Sequence, residues 1–125
     1  MSLVGRNLDR VRALARICNG EPLSREMAST RMFDVVVHCT PMGMWPNADE
    51  CFFDDRIPGK LVFDMVYNPL ETMLIKRAIS QGKEVVLGLQ MFLEQAACQF
   101  EIWTGETAPR SVMEKAALEA LLQQQ

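Results

Sequence analysis

The chain has 125 residues, of which 49% are hydrophobic and 23% are charged, a composition typical of one globular domain with a buried core. No apolar run approaches the roughly 20 residues that span a bilayer, and arginines interrupt the N-terminal region where a signal peptide has its apolar segment. The net charge of −3 does not favour nucleic acid as a partner. We therefore expect a cytoplasmic protein without a membrane or nucleic-acid role.

The N-terminal third of the chain carries the signals of a short strand and two helices. Residues 3–5 are typical of a strand stub, and Asn7 then caps a helix with apolar residues at helical spacing. An Asn-Gly pair at residues 19–20 ends that helix. Ser24 begins a second, shorter helix that reaches about residue 30.

The rest of the chain alternates strands and helices. Residues 33–39 form a continuous apolar run, which is typical of a strand covered on both faces. The further predicted elements are a strand at 61–66, a helix at 71–81, a strand at 84–87, and helices at 90–104 and 112–122. This alternation predicts parallel strands joined by right-handed crossovers, which is a Rossmann-like, doubly wound α/β sheet.

Ligands of a doubly wound sheet bind beyond the carboxyl ends of its strands. Four loops are predicted to lie there, at residues 5–7, 40–43, 64–69 and 87–89. These loops contain the least generic residues of the chain, so we expect the functional site at this edge.

Basic residues are concentrated at the start of the chain. Residues 1–16 contain four arginines and one aspartate, a net charge of +3. Arg6 follows a strand and Arg10 lies four residues on, so we expect both guanidinium groups on one face of the first helical turn, flanking a phosphate. Arginine after the second strand of a Rossmann-type sheet suits a ribose 2′-phosphate, which indicates NADP rather than NAD. The alternative is an ordinary solvated helix face.

Several polar residues have both a functional and a structural interpretation. Thr40 either donates its hydroxyl at a strand exit or belongs to an ordinary turn, and His38 is interpreted as a core or edge histidine. Asp64, inside a buried strand, needs hydrogen-bond partners; we expect it to brace backbone amides, with a role as a base as the alternative. Gln95, in an apolar helix, either has a partner or faces solvent.

Metal and disulfide sites are not indicated. The four cysteines, at positions 18, 39, 51 and 98, form no CxxC pair, and there is one histidine. We expect no metal, and reduced, mostly buried thiols.

Four sequence blocks, in order, resemble the dinucleotide-binding C-terminal half of the shikimate dehydrogenase family. Residues 5–10 (GRNLDR) resemble its N-R-T-x-x-R patch, and residues 38–44 (HCTPMGM) resemble its N-A-T-P-x-G-M loop. Residues 64–72 (DMVYNPLET) resemble its D-M-x-Y-x-P-x-x-T block, and residues 88–97 (GLQMFLEQAA) resemble its G-L-x-M-L-x-x-Q-A-A block.

The resemblance implies a cofactor site and a substrate site. The 2′-phosphate of NADP would be held by Arg6 and Arg10, with Asn7 at the position of the family's Thr. Thr40 would lie along the ribose and pyrophosphate, and the nicotinamide would be lined by Met65, Gly88 and Met91. The substrate would be reached by Tyr67 at its carboxylate and by Gln95 at a ring hydroxyl.

The family's reaction is reversible hydride transfer between NADPH and 3-dehydroshikimate, which gives shikimate in aromatic amino-acid biosynthesis. Residues at four positions depart from its pattern: Gly5, His38, Leu87 and Gln90. A quinate/shikimate dehydrogenase relative therefore stays as one alternative. A non-catalytic dinucleotide-binding or interaction module is the other.

The family's catalytic Lys and Asp lie in an N-terminal substrate domain that has no counterpart in this sequence, and its Gly-rich phosphate loop and preceding strand would come before Leu3. We therefore expect residues 1–125 to be a truncated dinucleotide-binding domain without catalytic residues, inactive alone. In the sheet order 3-2-1-4-5-6 the absent strand is central. Open sheet edges are adhesive, so we expect self-association there.

Overall fold

The computed structural model describes residues 1–123 as alternating strands and helices, which confirms the predicted α/β class. The elements in chain order are β1 (Ser2–Leu3), α1 (Leu8–Ile17), β2 (Glu21–Pro22), α2 (Arg25–Thr30), β3 (Phe33–His38), β4 (Gly59–Asp64), α3 (Met73–Ser80), β5 (Glu84–Val86), α4 (Gly88–Thr104) and α5 (Arg110–Leu122). Among these helices, none combines the length and apolar character needed to cross a membrane.

The helix ends follow from local hydrogen bonds. The Asn7 side chain accepts from the backbone N–H of Arg10 at 3.0 Å, and Ser24 accepts from that of Met27 at 3.1 Å. Gly105 ends α4 in the left-handed conformation with φ 73°, which glycine adopts without steric cost. These predicted boundaries are confirmed. Strand β2 was not predicted, because Glu21 and Pro22 are exposed residues of types that are uncommon in strands.

The strands form two separate parallel sheets. One contains β1 and β2, and the other has the order β3-β4-β5. Since β4 is the middle strand of its sheet, its carboxyl end lies between those of β3 and β5. Among residues 1–123 no strand pairs with the inner edges of β1 and β3.

The main core packs α3 and the loop before β4 against one face of the three-stranded sheet. Its buried members are Phe53, Ile57, Val62, Leu74, Ile75 and Ala78, and Val36 packs against them. This apolar layer holds the sheet in place beneath the loops that follow its strands.

The expectation that residues 33–39 form a strand covered on both faces is wrong. Alternate residues of a strand face opposite sides, so Val36 packs on the core whereas Val35 and Val37 remain 53% and 51% exposed. They line a cleft of about 330 Å³ between β1 and β3. None of the described elements fills this cleft, so the apolar run is half covered.

Candidate functional site

Three loops meet at the carboxyl edge of the three-stranded sheet. Thr40 follows β3, Met65 follows β4, and Gly88 follows β5 and begins α4. The Met65 backbone N–H donates to the carbonyl oxygen of His38 at 3.0 Å, which ties the first two loops together. The topology therefore places three of the predicted cofactor residues at one edge, as the parallel order requires.

A buried polar network lies beneath this edge. Asp64 is fully buried, and His38 is 5% exposed; they are register partners on β4 and β3. The Asp64 carboxylate contacts His38 Nδ1 at 2.9 Å and accepts from the backbone N–H of Val66 at 3.0 Å and from the hydroxyl of Thr72 at 2.5 Å. The expected bracing of a backbone amide is confirmed, whereas the two side-chain partners were missed.

The network reaches the surface at Thr40. The second ring nitrogen of His38, Nε2, lies 2.5 Å from Thr40 Oγ1, and the backbone N–H of Met42 donates to that oxygen at 3.3 Å. Thr40 is half-buried. The network thus connects a fully buried carboxylate with a hydroxyl that a ligand can contact.

Gly88 allows an unusually close approach of two chain segments. A Cβ at this position would lie 2.6 Å from the carbonyl oxygen of Met65 and would also overlap the carbonyl of Val66. Only glycine fits without movement of α4. Two residues on, the Gln90 side chain accepts from the backbone N–H of Leu87 at 3.1 Å, so this bulky departure from the family pattern caps the helix. Met91 is half-buried on the same helix.

The two predicted substrate residues are both exposed. The ring of Tyr67, 41% exposed, stacks on Phe92 with centroids 4.8 Å apart. Phe92 was not predicted as a site residue, because its only signal in the sequence is the apolar character of α4. Gln95 is exposed and has no side-chain partner among residues 1–123, which agrees with the solvent-facing alternative.

The basic residues surround the N-terminus of α1. Arg6 precedes the N-cap residue Asn7, so the expectation that it lies on the first helical turn is wrong: the Asn7 cap puts the helix start after it. The side chains of Arg6 and Arg10 are exposed and have no partner within the described part of the chain, while Asp9 pairs with Arg12 at 3.6 Å. Two unpaired cations and the positive end of the helix dipole make this corner favourable for an anion.

The cysteines are free, but the expectation that they are mostly buried is wrong. Cys39 and Cys98 are exposed, and Cys18 and Cys51 are half-buried. Within residues 1–123, no group of three or more His, Cys, Asp or Glu side chains is placed to hold a metal ion.

We expect Cys39 to react slowly with iodoacetamide at neutral pH. Desolvation by its surroundings, and then the negative charge of Asp64, raise the pKa of the Cys39 thiol, so the reactive thiolate forms only at higher pH. The rate would be measured from neutral to alkaline pH in a chain with serine at the other three cysteine positions. N-acetylcysteine amide is the reference thiol. The prediction would be contradicted if Cys39 reached half of its maximal rate at or below the pH at which the reference thiol reaches half of its own.

A family model and curated relatives both indicate the shikimate dehydrogenase family. Residues 88–118 match the model of the shikimate 5′-dehydrogenase C-terminal domain. A shikimate dehydrogenase (NADP(+)) from Methanosarcina acetivorans is 42% identical over 105 residues, which cover 82% of this chain. The chain spans 38% of that relative's length.

Two solved structures share the fold over nearly the whole chain. Shikimate 5-dehydrogenase from Thermus thermophilus, in complex with NADP(H) and shikimate, matches with a TM-score of 0.83 and 28% identity over 95% of this chain and 45% of that one. Quinate dehydrogenase from Corynebacterium glutamicum, in complex with NAD, matches with a TM-score of 0.80 and 30% identity over 94% of this chain and 45% of that one.

Proposed function

Because the chain belongs to the C-terminal portion of the shikimate dehydrogenase family, we propose that it is the cofactor side of an NADP-dependent shikimate dehydrogenase, which converts 3-dehydroshikimate and NADPH to shikimate. The observation that carries this proposal is the pair of unpaired guanidinium groups, Arg6 and Arg10, at the N-terminus of α1 directly after β1. This is the corner where an arginine suits the 2′-phosphate of NADP.

The residues of this chain bind and orient the cofactor. Arg6 and Arg10 hold the 2′-phosphate, and Asn7 keeps the first turn of α1 in place by its cap. Thr40 contacts the ribose and pyrophosphate region. Three residues line the nicotinamide: Met65, Gly88 and Met91. When bound, NADPH supplies the hydride.

The substrate side is proposed to use Tyr67 and Gln95. Both side chains are exposed, Tyr67 in the loop after β4 and Gln95 two turns into α4, and the stacking of Tyr67 on Phe92 limits the positions of its hydroxyl. Asp64 is not a candidate base, because both of its oxygens are engaged and it has no access to solvent. We propose that the catalytic Lys and Asp lie in a substrate domain outside residues 1–125, and that this chain alone is inactive.

Replacing Arg6 and Arg10 together with alanine should weaken binding of adenosine 2′,5′-bisphosphate about 10- to 100-fold, since hydrogen bonds to charged groups contribute about 1.5–3 kcal/mol. Binding of adenosine 5′-monophosphate should change much less. Isothermal titration of this chain with the two nucleotides measures both effects.

The matched control for that pair is Arg16→Ala, an exposed arginine in the last turn of the same helix. It should leave both affinities unchanged. Equal losses for the two nucleotides, or an equal effect of Arg16→Ala, would contradict a 2′-phosphate site.

A quinate/shikimate dehydrogenase is the second candidate, favoured by the similarity to a quinate dehydrogenase in complex with NAD and by Gln90 beside Gly88. A titration with NADP and NAD, followed by a shikimate and quinate panel on the protein joined to its substrate domain, distinguishes the two. If this chain binds neither dinucleotide, a non-catalytic interaction module is the better description.

We also propose that the isolated chain self-associates through the cleft between β1 and β3, with a second copy as its occupant. The half-exposed side chains of Val35 and Val37 and two unpaired sheet edges line this cleft, and such edges recruit further strands. Light scattering should give a mass above the 14.2 kDa of one chain.

The double change Val35→Lys and Val37→Lys should restore the monomer, because buried charges oppose association. Ile17→Lys, at an apolar residue of α1 that is 83% exposed, is the control and should not. A compact monomer of the wild-type chain at high concentration would contradict self-association, and NADPH turnover with 3-dehydroshikimate by this chain alone would contradict its inactivity.

A further inference from the structure

In the buried network beneath Thr40, the assignment of donor and acceptor in each hydrogen bond determines what Thr40 can bind. We infer that His38 is a positioning residue whose Nε2 accepts a hydrogen bond from the hydroxyl of Thr40, so that Thr40 presents only a lone pair to a ligand and selects a hydroxyl or N–H donor over a phosphate oxygen.

The direction begins at Asp64. Its two oxygens are surrounded by the backbone N–H of Val66, the hydroxyl of Thr72 and the Nδ1 atom of His38. The Thr72 oxygen itself accepts from the backbone N–H of Ile75 at 3.3 Å, which leaves its proton for Asp64. An ionised carboxylate only accepts hydrogen bonds. The proton in the contact between His38 and Asp64 therefore belongs to His38 Nδ1.

A neutral imidazole with its proton on Nδ1 has a lone pair on Nε2. In the neutral form that we infer for His38, this atom, which lies 2.5 Å from Thr40 Oγ1, accepts a hydrogen bond from the Thr40 hydroxyl. The ring of His38 is held in this position, since it is 5% exposed and also packs against Phe52 with centroids 6.1 Å apart.

The hydrogen-bonding capacity of Thr40 is then almost used up. A hydroxyl has one proton and two lone pairs; Thr40 uses its proton in the hydrogen bond to His38, and one lone pair accepts from the backbone N–H of Met42. The remaining lone pair requires a donor. A pyrophosphate oxygen has no proton to give, whereas a ribose hydroxyl has one. Identification of the donor as a ribose hydroxyl rests on the proposed NADP site; the hydrogen-bond direction does not.

The test uses the fact that His38 is the only histidine of the chain. In protein labelled with ¹⁵N-histidine and held at neutral pH, Nδ1 should give the protonated resonance and Nε2 the unprotonated one. A proton on Nε2, whether the ring is the other tautomer or carries both protons, overturns the inference. This result does not depend on whether NADP binds.

Variants of Thr40 test the donor. Thr40→Val removes the hydroxyl at nearly constant shape and should move the Nε2 resonance, whereas Thr40→Ser keeps the hydroxyl and should leave that resonance near its wild-type position. A role for His38 in packing alone predicts no difference between the two variants, and that outcome would overturn the assignment.

His38→Asn tests the ligand preference. The asparagine amide keeps a donor toward Asp64 but offers no acceptor where Nε2 was, so the Thr40 proton becomes free to donate. This variant should bind inorganic pyrophosphate about 2- to 10-fold more tightly than wild type, the value of one hydrogen bond. Cys39→Ser is the matched control and should not. Unchanged pyrophosphate affinity in His38→Asn overturns the preference of Thr40 for a donor. If His38 shows the expected tautomer but the chain does not bind NADP, that result counts only against the proposed function.

Discussion

Replacing Asp64 with alanine should lower the free energy of unfolding by about 3–5 kcal/mol, because it removes a buried charge from partners that cannot reach water. Three donors would lose their acceptor at once: the ring nitrogen of His38, the hydroxyl of Thr72 and the backbone N–H of Val66. They belong to β3, to the N-cap of α3 and to the loop after β4, so the loss affects the whole edge that carries the site. Urea denaturation followed by circular dichroism measures the change.

Two further variants separate lost hydrogen bonds from lost volume. Asp64→Asn preserves the shape but turns amide protons toward existing donors, so it should also be clearly destabilised. Asp34→Ala removes an aspartate of β3 whose one partner among residues 1–123 is Lys60 at the surface, 2.6 Å away, and it should leave the denaturation midpoint nearly unchanged. Wild-type stability of Asp64→Asn would show that the network does not depend on an ionised acceptor.

Replacing Gly88 with alanine should cost about 1–3 kcal/mol or more, the usual penalty for forcing extra volume into a packed position. The added methyl group would meet the carbonyl oxygens of Met65 and Val66, which are backbone atoms and cannot rotate away. Helix α4 would have to move from the β4 loop, which would disturb the stacking of Tyr67 on Phe92. Since Tyr67 is the only tyrosine, its aromatic NMR signals report this movement directly.

The matched control for Gly88→Ala is Gly82→Asn. Gly82 has a φ of 68° and open space around its missing side chain, and asparagine tolerates the left-handed conformation better than other residues with a side chain. It should therefore cost little stability and leave the Tyr67 signals in place. If Gly88→Ala matched wild type in both measurements, the close approach at the start of α4 would not be required.

The features predicted correctly from the sequence depend mainly on hydrogen bonds and conformations within a few residues of the chain. Asn7 and Ser24 cap helices through backbone groups three positions away, and Gly105 ends α4 by its own conformation. Parallel topology then follows from the alternation of elements, and topology places the loops containing Thr40, Met65 and Gly88 at one edge. None of these steps needs a long-range contact to be known in advance.

The error at Arg6 is local, and most of the other errors and omissions depend on distant contacts. Whether Val35 and Val37 are covered depends on which element lies across the cleft, and the sequence of residues 33–39 does not indicate that element. The partner of Tyr67, Phe92, lies on another element 25 positions away in the chain. The position of Arg6 relative to α1 was set by the Asn7 cap rather than by the four-residue spacing alone.

By itself, the sequence determined the α/β class, the helix ends marked by Asn7, Ser24 and Gly105, the sheet edge that carries the loops of the proposed site, and the positively charged start of the chain. These features depend on charge, on hydrogen bonds between near neighbours and on the order of the elements. The tertiary structure alone decided that His38, Asp64 and Thr72 form one buried network with Thr40 at its surface end. Those residues meet only when β3 and β4 pair in register. The physical reason is that a buried polar group must find partners wherever the folded chain supplies them, and the strand register supplies them here across 26 positions.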